Sequence, residues 1–254
     1  MILQRSIPYD PSARPRLPGI APLDPDAWIM TDDAFAAQMA ERERLLHNVP
    51  EAVLGEIEGA KPAVAEALGV ILDALPQGYI RSAGVVTRPD GVSVTLDADN
   101  PLVTVGRLVQ EDVCILTKPE DGEEHVLAAA VLCFPARWRL AEKLGRPLIS
   151  IHEPVPDYDD RIAPRVQRLF DGIGVGRPLW RCNELWTSNP TLHRPDPPTS
   201  RPKWNEDPLY LRSERQCLVR LPQTRAIVFT IHTWMLAAAD APCVKGMAPD
   251  RSEE

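Results

Sequence analysis

An α+β domain is what this sequence predicts, on three observations. Apolar residues recur at helical spacing between residues 31 and 75, they alternate with polar ones in paired runs within 84–133 and 180–234, and helical signals return within 135–172. Neither an internal repeat nor a low-complexity linker divides the chain, so residues 27–240 read as a single domain, preceded by a proline-rich irregular arm (1–26) and followed by a tail (241–254).

The bulk properties bound the function. With 254 residues, 44% hydrophobic and 25% charged, the chain has enough apolar side chains for a substantial core. A net charge of -8 argues against nucleic-acid and anionic-membrane partners, because those surfaces would repel it. Five cysteines, an odd number without C-x-x-C spacing, read as buried free thiols. No apolar run is long enough for a signal peptide or a membrane span, so a cytoplasmic protein is expected.

The elements follow in order. Thr31 or Asp32 can cap a helix carrying Phe35, Met39, Leu45 and Leu46, and Pro50 opens a second helix that runs toward Leu75 and that Pro62 kinks or interrupts. Arg88-Pro89-Asp90-Gly91 joins two valine-rich runs into a hairpin, and Pro101 to Leu108 forms a short helix or turn. VCILTK and HVLAAAVLCF are two further strands on either side of a turn whose Glu120, Asp121, Glu123 and Glu124 are solvated. Pro135 and Gly145 then bound a helix over 136–144, which places Arg137 and Trp138 in its first turn. A second helix ends at Gly172, LWRCNELW resumes the sheet, and RSERQCLVRL pairs with AIVFTIHTW around Pro222-Gln223-Thr224.

Among the histidines, His152 has the most constrained setting. It follows the apolar run Leu148, Ile149, Ser150, Ile151, and Pro154 and Pro156 fix the backbone beyond it. That suits a metal ligand, although by residue types alone a core histidine bonded to a backbone carbonyl is the simpler reading. His47, His125 and His232 lie on a charged helix surface, in an acidic turn and on an alternating strand. His193, in LHRP, is the rival ligand.

Three stretches, FPARWRLAEKLGRPLISIHEPVP, WRCNELW and RSERQCLVRLPQTRAIVFTIHTW, together with PLDPDAWIMTDDAFAAQMAERERLL near the start, resemble the heme-dependent oxidative N-demethylase alpha-subunit-like family over almost the whole chain after residue 20. The resemblance implies a PAS-like antiparallel sheet with flanking helices enclosing heme b, and oxidation of a small amine by dioxygen as co-substrate. His152 would hold the iron, with Arg137, Trp138 and Arg212 around the cofactor and Arg137 near a propionate. For Arg137 and Trp138 the competing reading is a surface cation and a core aromatic. Arg181, Asn183 and Glu214 would work on the other side: a cation or amide stabilises reduced dioxygen, and a carboxylate receives a protonated amine. Alternation puts Arg212, Glu214 and Gln216 on one strand face and Ser213, Arg215 and Cys217 on the other, so a single set can line a pocket. Trp180, Trp186 and Trp204 are further candidates for the lining. The chain departs from residue types common in the family at Cys217, His232 and Trp234. Without a nucleotide-binding glycine motif or a cysteine cluster it needs an external reductase carrying flavin and iron-sulfur centres. The alternative function is a non-catalytic heme PAS sensor of gas or redox state.

Overall fold

The computed structural model describes residues 1–12, 19–119, 122, 124–148, 151, 163–196 and 209–242. The strands are β1 (Ala21–Pro22), β2 (Leu54–Glu56), β3 (Ile80–Ser82), β4 (Val85–Thr87), β5 (Ser93–Thr95), β6 (Asp112–Thr117), β7 (Val126–Val131), β8 (Leu179–Cys182), β9 (Leu185–Thr187), β10 (Tyr210–Arg220) and β11 (Ile227–Ala237). The α-helices are α1 (Phe35–Asn48), α2 (Pro50–Val53), α3 (Lys61–Asp73), α4 (Pro101–Leu108), α5 (Leu140–Lys143) and α6 (Ala163–Gly172). None is long and apolar enough to cross a membrane, among the described residues.

Eight strands form the main sheet in the order β1-β8-β10-β11-β6-β7-β2, with β9 beside β8 on β10. Every pairing is antiparallel, and β3-β4-β5 make a separate small sheet. The long hairpin β10–β11, paired from Tyr210↔Ala237 to Arg220↔Ile227, is the sheet's centre. An α+β architecture of antiparallel sheets with a few helices is therefore present.

Alternation gives the main sheet two different faces. On one, Val113, Ile115, Cys217 and Val228 pack against Leu45 of α1, Val64 and Ile71 of α3, and Val105 and Leu108 of α4 in one continuous core. We call this the main-core face. α4 comes so close to it that a Cβ on Gly106 would lie 2.7 Å from the Val131 side chain. The opposite face carries two smaller clusters. Cys114, Ala130, Leu132 and Ile231 pack with Leu140, Trp138 and Ile151, while Leu116, Leu218 and Ile227 pack with Leu148, Phe170 and Ile173. This is the split face.

The structure departs from the sequence reading in two places. The span from Pro50 is interrupted rather than kinked, and earlier than Pro62: Leu54–Glu56 leaves it to pair with β7, and α3 restarts with Pro62 in its first turn, where a missing N–H costs nothing. The helix expected over 136–144 survives only as α5. Ala136 is held in a parallel bridge to Arg194, and Arg137 has φ +67°, a left-handed conformation that no helix interior allows. Tertiary pairing outweighs the local helix signals there.

The amino-terminal arm is stitched into the sheet. Gln4 is buried; its backbone N–H donates to Met235 O, its Oε1 accepts from Met235 N at 2.8 Å, and its Nε2 donates to Asp32 and to Thr233 O. Tyr9 meets Trp180 and Trp234 edge-on and bonds Ser213 Oγ at 3.0 Å.

Candidate functional site

The sheet registers place Arg181 beside Gln216, and Glu214 beside Thr233, all on the split face. Glu214 is the hub. Its Oε1 accepts from Arg212 Nε (3.2 Å) and Nη2 (3.1 Å), and its Oε2 accepts from Asn183 Nδ2 (2.9 Å) and Gln216 Nε2 (3.3 Å). Asn183 sits in the turn between β8 and β9 and is doubly tied, since its N–H donates to Glu214 O and its Oδ1 accepts from Glu214 N. A carboxylate that accepts four hydrogen bonds, two of them from one cationic partner, is fixed in orientation.

Arg212 is 1% exposed and spends its remaining donors on Leu192 O and Phe134 O, so it orients Glu214 while clamping two loops. Arg181 differs. It is half-buried, burial pushes its pKa down, and its Nε is buried without an acceptor. Arg137 Nε and Thr233 Oγ1 are likewise buried and unpartnered. A buried polar atom left unpaired costs about 1–3 kcal/mol. Arg42 Nη2, Glu111 Oε2 and Trp234 Nε1 are orphaned too, but inside fully buried side chains, whereas Arg181 and Arg137 are half-buried on the split face, within reach of a ligand's polar groups.

The other site candidates divide by face. Trp138 packs into the Cys114 cluster on the split face. Trp180 and Trp186 pair with Cys217 and Leu211 and so face away from Glu214. Arg215 also points away, donating to the carbonyls of Ala27 and Trp28. His193 Nδ1 donates to Cys133 O at 2.8 Å, which leaves the Nε2 lone pair as the ring's donor atom. Its surroundings include Glu41 of α1, whose carboxyl is held down first by Arg44 and also by His193. His152, Trp204 and the acidic residues Glu120, Asp121 and Glu123 lie outside the described residues. Ile151, next to His152 in the chain, packs into the Cys114 cluster on the split face, and its carbonyl accepts from Lys143 Nζ at 2.6 Å.

Two features escaped the sequence reading. Arg194 is joined to the Pro135–Arg137 segment by two backbone hydrogen bonds, and the sequence offers no signal of that beyond its place in LHRP. His232 is not a bland strand residue: it is fully buried between Asp32 and Glu111, at 3.0 Å from each, and its ring packs on Trp234. Burial alone would push the imidazolium down, but the hydrogen bonds to the two carboxylates outweigh it and hold its pKa up at about 9. Of the cysteines, Cys114, Cys133 and Cys217 are buried free thiols, as expected, Cys182 is half-buried, and Cys243 lies outside the described residues; burial pushes the Cys217 thiol up to about 11.

The family model described as haem-dependent oxidative N-demethylase, alpha subunit-like, matches residues 19–250. That span contains the Glu214 hub, Arg137, Arg181 and the full main sheet, and leaves out only the arm that carries Gln4 and Tyr9 and the last few residues. This chain belongs to the heme-dependent oxidative N-demethylase alpha-subunit-like family.

Proposed function

We propose that this protein is a heme-dependent oxidase or monooxygenase that removes a methyl group from a small amine, or oxidises it in a related way, using dioxygen and electrons from outside. The observation that carries the reading, beside family membership, is the split face: a fixed carboxylate, an amide and an unpaired cation gathered on one side of an antiparallel sheet. The residues present fit the group. Orphaned Arg181 Nε and Arg137 Nε are donors suited to the anionic parts of heme and dioxygen, and the apolar clusters that include Trp138 and Phe170 suit a porphyrin's rim.

Heme would be held in a PAS-like enclosure with His152 as the ligand to iron, and His193, with Nδ1 bonded to Cys133 O, as the second candidate. Heme, when bound, supplies the centre where dioxygen is reduced and the N-methyl carbon oxidised; dioxygen, two electrons and two protons then yield demethylated amine, formaldehyde and water. Glu214 receives the ammonium form of the amine, and its bonds from Arg212, Asn183 and Gln216 keep the carboxylate from turning away. Arg181 and Asn183 place positive charge and an N–H donor where negative charge develops. The electrons come from a separate reductase carrying flavin and iron-sulfur centres, in keeping with a family described by its alpha subunit.

The test is visible spectroscopy of heme-reconstituted wild type beside His152→Ala, in ferric, ferrous and carbon-monoxide forms, followed by a panel of methylamines with dioxygen and a reductant. A stoichiometric Soret band altered by the substitution, and formaldehyde release with KM raised roughly tenfold or more in Glu214→Gln, are expected. Absence of heme uptake sinks the reading. Reversible gas binding without product across the panel would make the protein a sensor.

A further inference from the structure

Two arginines stand side by side at one end of the split face, with no carboxylate between them among the described residues. Arg137 N donates to Arg194 O at 2.7 Å and Arg194 N donates to Pro135 O at 3.1 Å, so the backbone fixes the two residues together. Arg194 Nη1 has only the Thr187 hydroxyl, at 3.0 Å. Arg137 has a buried Nε without an acceptor and is held in a left-handed backbone conformation that costs a non-glycine residue on the order of 1 kcal/mol. Nearby acids are already taken: Glu214 by Arg212, Asp196 by Arg139. Burial, then the neighbouring Arg137 and Arg212, push the Arg194 pKa down, and no described carboxylate offsets them. Like charges brought together in a half-buried site are unfavourable unless an anion completes them, and paired guanidiniums match a carboxylate's two oxygens.

We infer that Arg137 and Arg194 form a two-armed carboxylate clamp that seizes a heme propionate, with Arg194 an anchor of the cofactor in its own right. The inference rests on the heme-dependent reading above, in which the family resemblance already sets Arg137 near a propionate, and adds Arg194 as the second arm. Arg137's strained backbone is the cost of aiming it at the same carboxylate as Arg194.

Charge on the ligand, rather than activity, tests this. Apo-protein is titrated with iron protoporphyrin IX and with its dimethyl ester, which keeps the ring and iron but lacks the carboxylates, for wild type, Arg194→Gln and Arg194→Lys. Wild type should prefer the free acid, and Arg194→Gln should lose roughly tenfold or more of its affinity for the free acid while binding the ester as wild type does. Arg194→Lys should fall between them, because it keeps the charge without the fork. Comparing two ligands on one variant protects the result from a general loss of folding. Equal weakening toward both ligands, or no change toward either, overturns the clamp while leaving heme dependence standing. A wild type that binds neither ligand removes both the clamp and the reading it rests on.

Discussion

On the main-core face, β10 and β11 present Cys217, Val228 and their neighbours to α1, α3 and α4 in one unbroken apolar core, whereas on the split face the same two strands present Arg212, Glu214, Gln216 and Thr233 between two smaller clusters. The period-two pleat lets one hairpin carry stability on one side and chemistry on the other without either interrupting the other's sequence pattern. Polar groups on the α1 side behave differently again. Arg42 and Asp112, 0% and 1% exposed, pair at 2.6 Å, and Asp112 also accepts from the backbone of Cys133 and Phe134; Arg42 Nη2 and Glu111 Oε2 stay without a partner, sealed inside the core. Across the split face, Arg181 and Arg137 keep unpaired donors. Orphans beneath α1 are sealed in the core, whereas those of Arg181 and Arg137 belong to half-buried side chains that a ligand can reach.

That contrast can be broken at its strongest point first. Arg42→Ala leaves the Asp112 carboxylate buried and strips its bonds to Gly106 O and Gln110 O, so unfolding in urea should show a loss of about 3–5 kcal/mol. A loss below 1 kcal/mol would mean that the α1-side charges are not structural.

The next effect is in pH. The folded pKa of His232, about 9, lies above its ordinary 6.5, so its contribution to stability is complete below pH 6.5 and fades as the pH rises through 9. The size is about 3 kcal/mol from the shift. Asp32 works in the opposite sense: burial opposes its ionisation, but hydrogen bonds led by His232's hold its pKa down, so its share is lost as the pH falls. Denaturant midpoints of wild type should decline between pH 6.5 and 9, and His232→Gln should flatten that slope. An unchanged slope in the variant would assign the dependence elsewhere.

The smallest stability effect sharpens the comparison from the other side. Gln216→Leu removes one 3.3 Å bond to Glu214 from a half-buried position on the split face, so stability should shift by no more than about 1 kcal/mol while amine KM rises severalfold. Loss of stability with unchanged KM would place Gln216 with the structural groups.

What the sequence made legible follows from the range of each signal. α1, the Arg88–Gly91 hairpin and β10–β11 could be read because period and turn residues lie within one window. Alternation also separated Arg212, Glu214 and Gln216 correctly from Ser213 and Arg215, whose side chains serve Tyr9, Asn183 and the Ala27–Trp28 carbonyls. The aborted helix at 136–139 could not be read, because the bridge to Arg194 that unwinds it is written far along the chain. His232 was opaque for the same reason: its partners Glu111 and Asp32 are 121 and 200 residues away. Residue types announced the members of the site, and only topology could say which of them meet.

The seat of Gln4 sets an order on the making of the protein. Its backbone and side chain are gripped by Met235 and Thr233, in a strand that also completes the pairing of β6 and supplies the middle of the sheet. During synthesis Gln4 therefore waits for residues 233–235, and strands β6 and β7, made earlier, are held as an open pair until β11 arrives. The sheet closes in one late event when β11 is made, and the hairpin exposed until then is the stretch that a chaperone has most reason to cover.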